Sequence, residues 1–262
     1  MRKVKKQEDL TTKKILQIVL FVAIIGFIVC AGVITVYVMK TKKENTHYEQ
    51  MQEEYSVTEE TTETEPEEYV CPVDFDKLQE RECADIYAWI KIPDTNIDYP
   101  IVQHPEDDTY YLTHTIDGTY GFPGAIYTEL YNQKTFLDTM TVIYGHNMKD
   151  GSMFRDLYKF MDKEFFDTHE DFSIYLPDRE IKYKVFAAYL TNDQRILVWN
   201  DFSDKEMFQY ELEIRQEKEE TETDHIRRDL EVTSDDRYVI LETCIDDEPK
   251  QRYIVLAKEI QE

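Results

Sequence analysis

The pattern of apolar and polar positions changes character twice along the chain. Ile15 to Met39 is a run of 25 residues without a charge, ILQIVLFVAIIGFIVCAGVITVYVM. As a helix it would extend roughly 37 Å, enough to cross a hydrocarbon core about 30 Å thick with some tilt. A buried core helix or a cleaved signal peptide are the alternatives. The run is longer than a signal h-region, however, and no small-x-small cleavage site follows before Lys40. Residues 44–70 then hold ten Glu and no Lys or Arg, with almost nothing to bury. Such a segment repels itself and is expected to stay extended, as a stalk.

From about Cys71 short apolar runs alternate with turn signals. A helix over 74–85 places Phe75, Leu78 and Ile86 on one face. Strands are expected at 89–92, 97–102, 124–127, 140–144, 172–176, 181–191, 237–243 and 252–258, with Pro93-Asp94 and Pro123-Gly124 supplying turns. Helical patterns interrupt at 153–167 and at 204–220, where Met207, Tyr210, Leu212 and Ile214 stand among charges. Eight β-rich runs make this a mainly β domain, a barrel or sandwich in preference to a βαβ fold. The expected organisation is a basic tail over 1–14, a membrane span over 15–39, an acidic stalk over 40–70 and one β-rich domain over 71–262.

Composition changes this picture mainly through charge. The 55 acidic against 30 basic side chains give −25, a field that repels phosphate backbones and argues against a nucleic-acid partner. The charge is unevenly spread: residues 1–43 carry +7, residues 44–70 carry −10, and 71–262, with 43 acids against 21 bases, carry −22. Six basic residues precede the span (Arg2, Lys3, Lys5, Lys6, Lys13, Lys14) and three follow it (Lys40, Lys42, Lys43). That bias holds the N-terminus in the cytoplasm and puts the rest outside. Four Cys are too few for a dense disulfide framework; Cys30 lies in the span, and Cys71 and Cys83 are expected to be free thiols.

No zinc, phosphate-loop, EF-hand or G-x-S-x-G pattern is present. The remaining chemistry lies at strand ends. Cys244 closes the apolar run YVILET and precedes a turn rich in acids, a place where a scaffold can display a nucleophile. A buried structural thiol satisfies the same pattern. A nucleophilic thiol needs its proton managed, and among six His the best placed is His146, after the run MTVIY and beside Gly145. His47 falls in the stalk, and His104, His114, His169 and His225 sit in polar loop or helix-edge contexts where a solvated ring is the default. A hairpin joining 237–244 to 252–258 would return Arg252 to the side of Cys244, to donate to a developing oxyanion or to pair with Asp246, Asp247 and Glu248.

These residues carry a family resemblance. The block Tyr144-Gly145-His146-Asn147-Met148-Lys149-Asp150-Gly151-Ser152-Met153-Phe154 resembles the histidine segment of class B sortases. Leu241-Glu242-Thr243-Cys244 and Arg252-Tyr253-Ile254-Val255-Leu256-Ala257-Lys258 are similar to their cysteine and arginine strands. Trp89 to Pro93, Ile97 to Gln103 and Tyr110-Tyr111-Leu112 are similar to the upstream part, so the likeness runs from about 74 to 260. It implies an eight-stranded β-barrel and a membrane-anchored cysteine transpeptidase of Gram-positive bacteria that needs no cofactor. By position, Cys244 would be the nucleophile, His146 the acid/base and Arg252 the oxyanion or substrate-positioning residue. Thr243 and Leu112 would line the substrate pocket, and 196–236 would supply the helix-containing connection beside it. Its partners would be exported proteins with an x-P-x-T-x sorting signal, cleaved after Thr, and a peptidoglycan amine. Two positions depart from the family: Glu242 stands where Ser is common, and Asp108 where Asn is common. A thiol peptidase that only hydrolyses and a non-catalytic anchored binding module are the competing readings.

Overall fold

The computed structural model describes residues 2–55, 69–121, 123–199, 202, 204–246 and 248–260. Residues 56–68 of the expected stalk, and Asp247 of the acidic turn, lie outside the described residues. The chain divides into two units, Met1–His47 and Tyr48–Glu262.

Helix α1 (Arg2–Tyr55) runs through the whole apolar segment, whose apolar core is unburied; it is long and apolar enough to cross a membrane. The helix does not stop at the acidic segment, which was expected to be extended. Tyr48, Met51 and Tyr55, spaced three and four apart on one helical face, are buried in the core of the second unit. Tyr48 donates its hydroxyl to the Gly124 carbonyl at 3.0 Å and Gln52 Nε2 donates to the Asp98 carbonyl at 2.7 Å. An apolar stripe of three residues is enough to dock a helix whose other faces are Glu-rich.

The strands are β1 (Ile86–Lys91), β2 (Asp98–Val102), β3 (Ile126–Thr128), β4 (Met140–Tyr144), β5 (Asp171–Leu176), β6 (Arg179–Asn192), β7 (His225–Ile226), β8 (Tyr238–Ile245) and β9 (Glu248–Glu259). Eight follow one another in the order β5-β1-β2-β3-β4-β8-β9-β6, and a β5–β6 pairing closes the ring. This is the eight-stranded barrel expected. Strand β7, two residues long, hangs on β6 outside the ring and was not foreseen. Most pairs are antiparallel, but β2–β3 and β4–β8 are parallel.

Short helices cover the barrel: α2 (Phe75–Arg81), α3 (Tyr110–Thr113), α4 (Lys163–Thr168), α5 (Ile196–Trp199), α6 (Lys205–Glu217) and a 3-10 helix over Phe154–Met161. Asp74 caps α2 by accepting from Lys77 N, and Asp204 caps α6 by accepting from Glu206 N and Met207 N. The buried face of α6 is Phe208 and Leu212, one turn apart; Met207, Tyr210 and Ile214, the other apolar residues standing among its charges, are exposed.

Strand alternation sorts the core into two layers. On β8, Val239 and Leu241 face the barrel interior, while Tyr238 and Ile240 face an outer cluster shared with Phe208 and Leu212. On β4, Ile143 faces in and Met140 and Val142 face out. The same alternation carried past Ile240 and Val142 puts Glu242, Cys244 and Tyr144 on the outer face, at the end of the two parallel strands.

Candidate active site

The β8–β9 hairpin forms as expected, and its register sets Cys244 opposite Arg252, with a bulge immediately after Cys244. Strand β4 flanks β8 in parallel, Tyr144 opposite Glu242, and Gly145 N donates to the Glu242 carbonyl at 3.1 Å. His146 therefore leaves β4 at the level where Cys244 ends β8. His146, Cys244 and Arg252 line one cavity of about 160 Å³. Its walls include Leu112 from α3, Tyr127 and Glu129 at the end of β3, and Asp193 and Arg195 beyond β6. Cys71, Cys83 and Cys244 are free thiols.

Close packing fixes the imidazole. A Cβ on Gly145 would lie 2.5 Å from Ile126 Cδ1 and 2.6 Å from Phe154 Cγ, so only glycine lets the chain pass there. Gly124 has φ +68, and a Cβ on it would lie 3.0 Å from the His146 ring. His146 Nε2 donates to the Leu112 carbonyl at 2.7 Å, which puts the proton of the neutral ring on Nε2 and leaves Nδ1 as the basic nitrogen. Burial lowers its pKa below the usual imidazole value, the Leu112 carbonyl opposes that, and the Arg252 charge adds to it.

Leu112 thus contributes in two ways: its carbonyl orients His146 and its side chain, 41% exposed, borders the cavity. Thr243 borders the cavity as well, but its hydroxyl donates to the Gly145 carbonyl at 2.8 Å and ties β8 to the turn carrying His146. Arg252 Nη1 donates to the Pro249 and Gln251 carbonyls at 2.9 and 2.8 Å, and its Nε lies 3.5 Å from Glu242 Oε1. Its acidic partner among the described residues is Glu242 on the neighbouring strand rather than the turn acids.

Asp246 of that turn is held by Arg155 at 2.5 Å and accepts from Asn147 Nδ2 at 3.0 Å. Tyr158 joins the group: its hydroxyl donates to the Cys244 carbonyl at 3.1 Å and accepts from Asn147 Nδ2 and from Asp246 N. Arg155 and Tyr158 come from the 3-10 helix and clamp the turn after Cys244 onto the segment after His146. Their sequence gave no sign of this beyond a helical pattern. Asp108 is not part of the cavity wall; it accepts from Leu130 N at 2.7 Å and pairs with Arg195 at 3.2 Å. Four other His differ from the solvated default: His225 is buried and bonds to the Met161 carbonyl at 2.9 Å, while His104 and His114 stack on Tyr110 and His169 on Phe165.

A sortase-domain model matches residues 90–260, most of the second unit. The chain belongs to the sortase family. It is 37% identical to sortase B of Listeria monocytogenes over 161 residues, an alignment covering 61% of this chain and 63% of that protein. It is 27% identical to sortase B of Staphylococcus aureus over 251 residues, covering 95% of this chain and 98% of that one. The crystal structure of sortase B from Bacillus anthracis superposes with a TM-score of 0.70 at 30% identity, covering 86% of this chain and 99% of that one. Class B is the branch these likenesses indicate, in agreement with the barrel closed by β5–β6 and the helical connection between β6 and β8.

Proposed function

We propose that this sortase is a cysteine transpeptidase that cleaves an x-P-x-T-x sorting signal after Thr and transfers the upstream protein to a peptidoglycan amine. The observation that carries this reading is the register of three strand ends: Cys244 opposite Arg252 across β8–β9, and His146 leaving the parallel strand β4 beside them, all on one cavity. In the first half-reaction the Cys244 thiol gives its proton to Nδ1 of His146 and its sulfur adds to the Thr carbonyl carbon. Arg252 donates to the oxyanion. Collapse breaks the C–N bond, the proton on His146 passes to the departing amine, and a thioester on Cys244 remains. In the second half-reaction an incoming amine gives a proton to His146 and attacks the thioester, restoring the thiol and forming the new amide. A neutral His146 is the form that can accept the thiol proton, and burial favours that form. No cofactor takes part in these steps.

Helix α1 supports the location: the apolar run is the anchor, the basic tail over 1–14 is cytoplasmic, and residues 71–262 stand outside the membrane. The test incubates the full chain in detergent with fluorogenic x-P-x-T-x peptides, with and without an amine. Cleavage abolished in Cys244→Ala and in His146→Ala, with amine incorporated into the product, is expected. Cleavage that never incorporates amine would favour the hydrolytic peptidase, and cleavage surviving Cys244→Ala would refute the proposal.

A further inference from the structure

The docked end of α1 does more than fill the core. Tyr48, 4% exposed, donates its hydroxyl to the Gly124 carbonyl at 3.0 Å, and Gly124 lies against the imidazole of His146. A Cβ on Gly124 would meet the Tyr111 carbonyl at 2.8 Å, His146 Cδ2 at 3.0 Å and the Leu112 carbonyl at 3.1 Å. One glycine therefore touches both the ring and the carbonyl that accepts from its Nε2. A glycine at φ +68 has no side chain to restrict it, so its peptide has to be fixed from outside. The peptide joining Gly124 to Ala125 is held at two points: its carbonyl by Tyr48, and its N–H by the Tyr111 carbonyl at 3.0 Å.

The same turns of α1 reach the other flank of His146. The Tyr48 ring packs edge-on to Tyr99, centroids 5.6 Å apart, and Gln52 Nε2 donates to the carbonyl of Asp98, the residue before Tyr99, at 2.7 Å. The Tyr99 hydroxyl in turn accepts from Met153 N at 3.1 Å. Met153 has φ +57 and ψ −133, a strained backbone for a residue with a side chain, which persists only where the surroundings fix it. Met153 bridges Asn147, and the next residue, Phe154, donates from its N to the His146 carbonyl at 2.9 Å. From one buried ring, contacts lead to both segments that frame the imidazole.

Building on the transpeptidase reading, we propose that Tyr48 is a positioning residue for the reaction: through Gly124 and Tyr99 it holds His146 in the orientation its proton transfers require. Neither Tyr48 nor Gly124 lines the cavity, so losing the Tyr48 hydroxyl should spare substrate binding and slow the chemical steps. Catalysis in this chain thereby depends on the helical turns that follow the apolar run. Tyr55 supplies the matched control. It lies on the same helix and the same buried face, 3% exposed, but its hydroxyl has no hydrogen-bond partner.

The full chain in detergent is compared with Tyr48→Phe and Tyr55→Phe, each of which loses one buried hydroxyl. Cleavage of an x-P-x-T-x peptide should show kcat about tenfold lower in Tyr48→Phe, the scale of one hydrogen bond, with KM within about twofold of the parent. Tyr55→Phe should match the parent in both constants. Hydrogen exchange followed by mass spectrometry reads the placement without substrate: segments 123–128 and 144–154 should exchange faster in Tyr48→Phe and not in Tyr55→Phe. A parental kcat in Tyr48→Phe, an effect confined to KM, or equal losses in the two variants would overturn the proposal, as would unchanged exchange in both segments. Absence of any Cys244-dependent cleavage would refute the transpeptidase reading separately. The exchange comparison would then decide by itself whether Tyr48 holds the His146 turn.

Discussion

Replacing Glu242 by Gln should make the protein more stable at alkaline pH and leave it almost unchanged at acid pH. The side chain is 7% exposed, with only one oxygen near Arg252. Burial, with Glu129 adding to it and Arg252 opposing it, raises its pKa from 4.5 to about 7. A carboxyl whose folded-state pKa lies above its unfolded value contributes stability at acid pH, where both states are protonated. That contribution is lost between about 4.5 and about 7, as the unfolded state releases a proton the folded state retains. At 1.36 kcal/mol per pKa unit the shift corresponds to about 3 kcal/mol, an upper value because water entering the cavity reduces it. Gln keeps the shape and never ionises. Denaturant unfolding of both proteins at pH 4, 5, 6, 7 and 8 should therefore show a difference near zero at pH 4 that grows to about 2–3 kcal/mol in favour of Gln at pH 8. The pH dependence of the difference isolates this one group from every other titration in the chain. A difference that is flat with pH would refute the reasoning, as would a Gln variant less stable than the parent at pH 8. Either would mean that the Arg252 ion pair outweighs desolvation.

Three further changes test the packing that positions the site. Gly145→Ala places a Cβ 2.5 Å from Ile126 Cδ1 and 2.6 Å from the Phe154 ring; overpacking of about 1–3 kcal/mol is expected, with a fall in kcat larger than the change in thermal midpoint, because His146 is the next residue. Tyr158→Phe removes the hydroxyl that bonds the Cys244 carbonyl, Asn147 Nδ2 and Asp246 N. It should cost about 1–3 kcal/mol and lower peptide cleavage, and an unaltered rate would deny the clamp a positioning role. Met51→Ala opens a cavity at a residue 1% exposed in the core; unfolding of the catalytic unit should lose about 2–5 kcal/mol, and no loss would show that α1 does not dock there.

The legible part of this molecule was its alternation. Runs such as MTVIY and RYVILET announce strands because one face is buried and the other is not, and they became β4 and β8 with ends within a residue or two of expectation. The hairpin from Cys244 to Arg252 was legible for the same reason. Strand β7 was not, since two residues carry no period. The docked end of α1 was hidden by composition: ten Glu between residues 44 and 70 mask the stripe Tyr48, Met51, Tyr55, which only helical spacing reveals. Glu129 and Arg195 were missed because each lies just past a strand and far from Cys244 in sequence, and their place on the cavity is set only by strand pairing and the closure of the ring. Glu242 was noticed as a charge near the nucleophile that Arg252 could offset. Nearness in sequence pointed Arg252 to the turn acids as well, while strand register put Glu242 and Arg252 side by side on the outer face.

The most direct test is the intact mass of the full chain mixed with a reactive x-P-x-T-x peptide and quenched in acid. An adduct equal to the peptide through its Thr should appear on Cys244, disappear on addition of an amine as the amide product forms, and be absent from Cys244→Ala. Peptide cleavage without any adduct on Cys244, or an adduct discharged only by water whatever amine is supplied, would contradict the account.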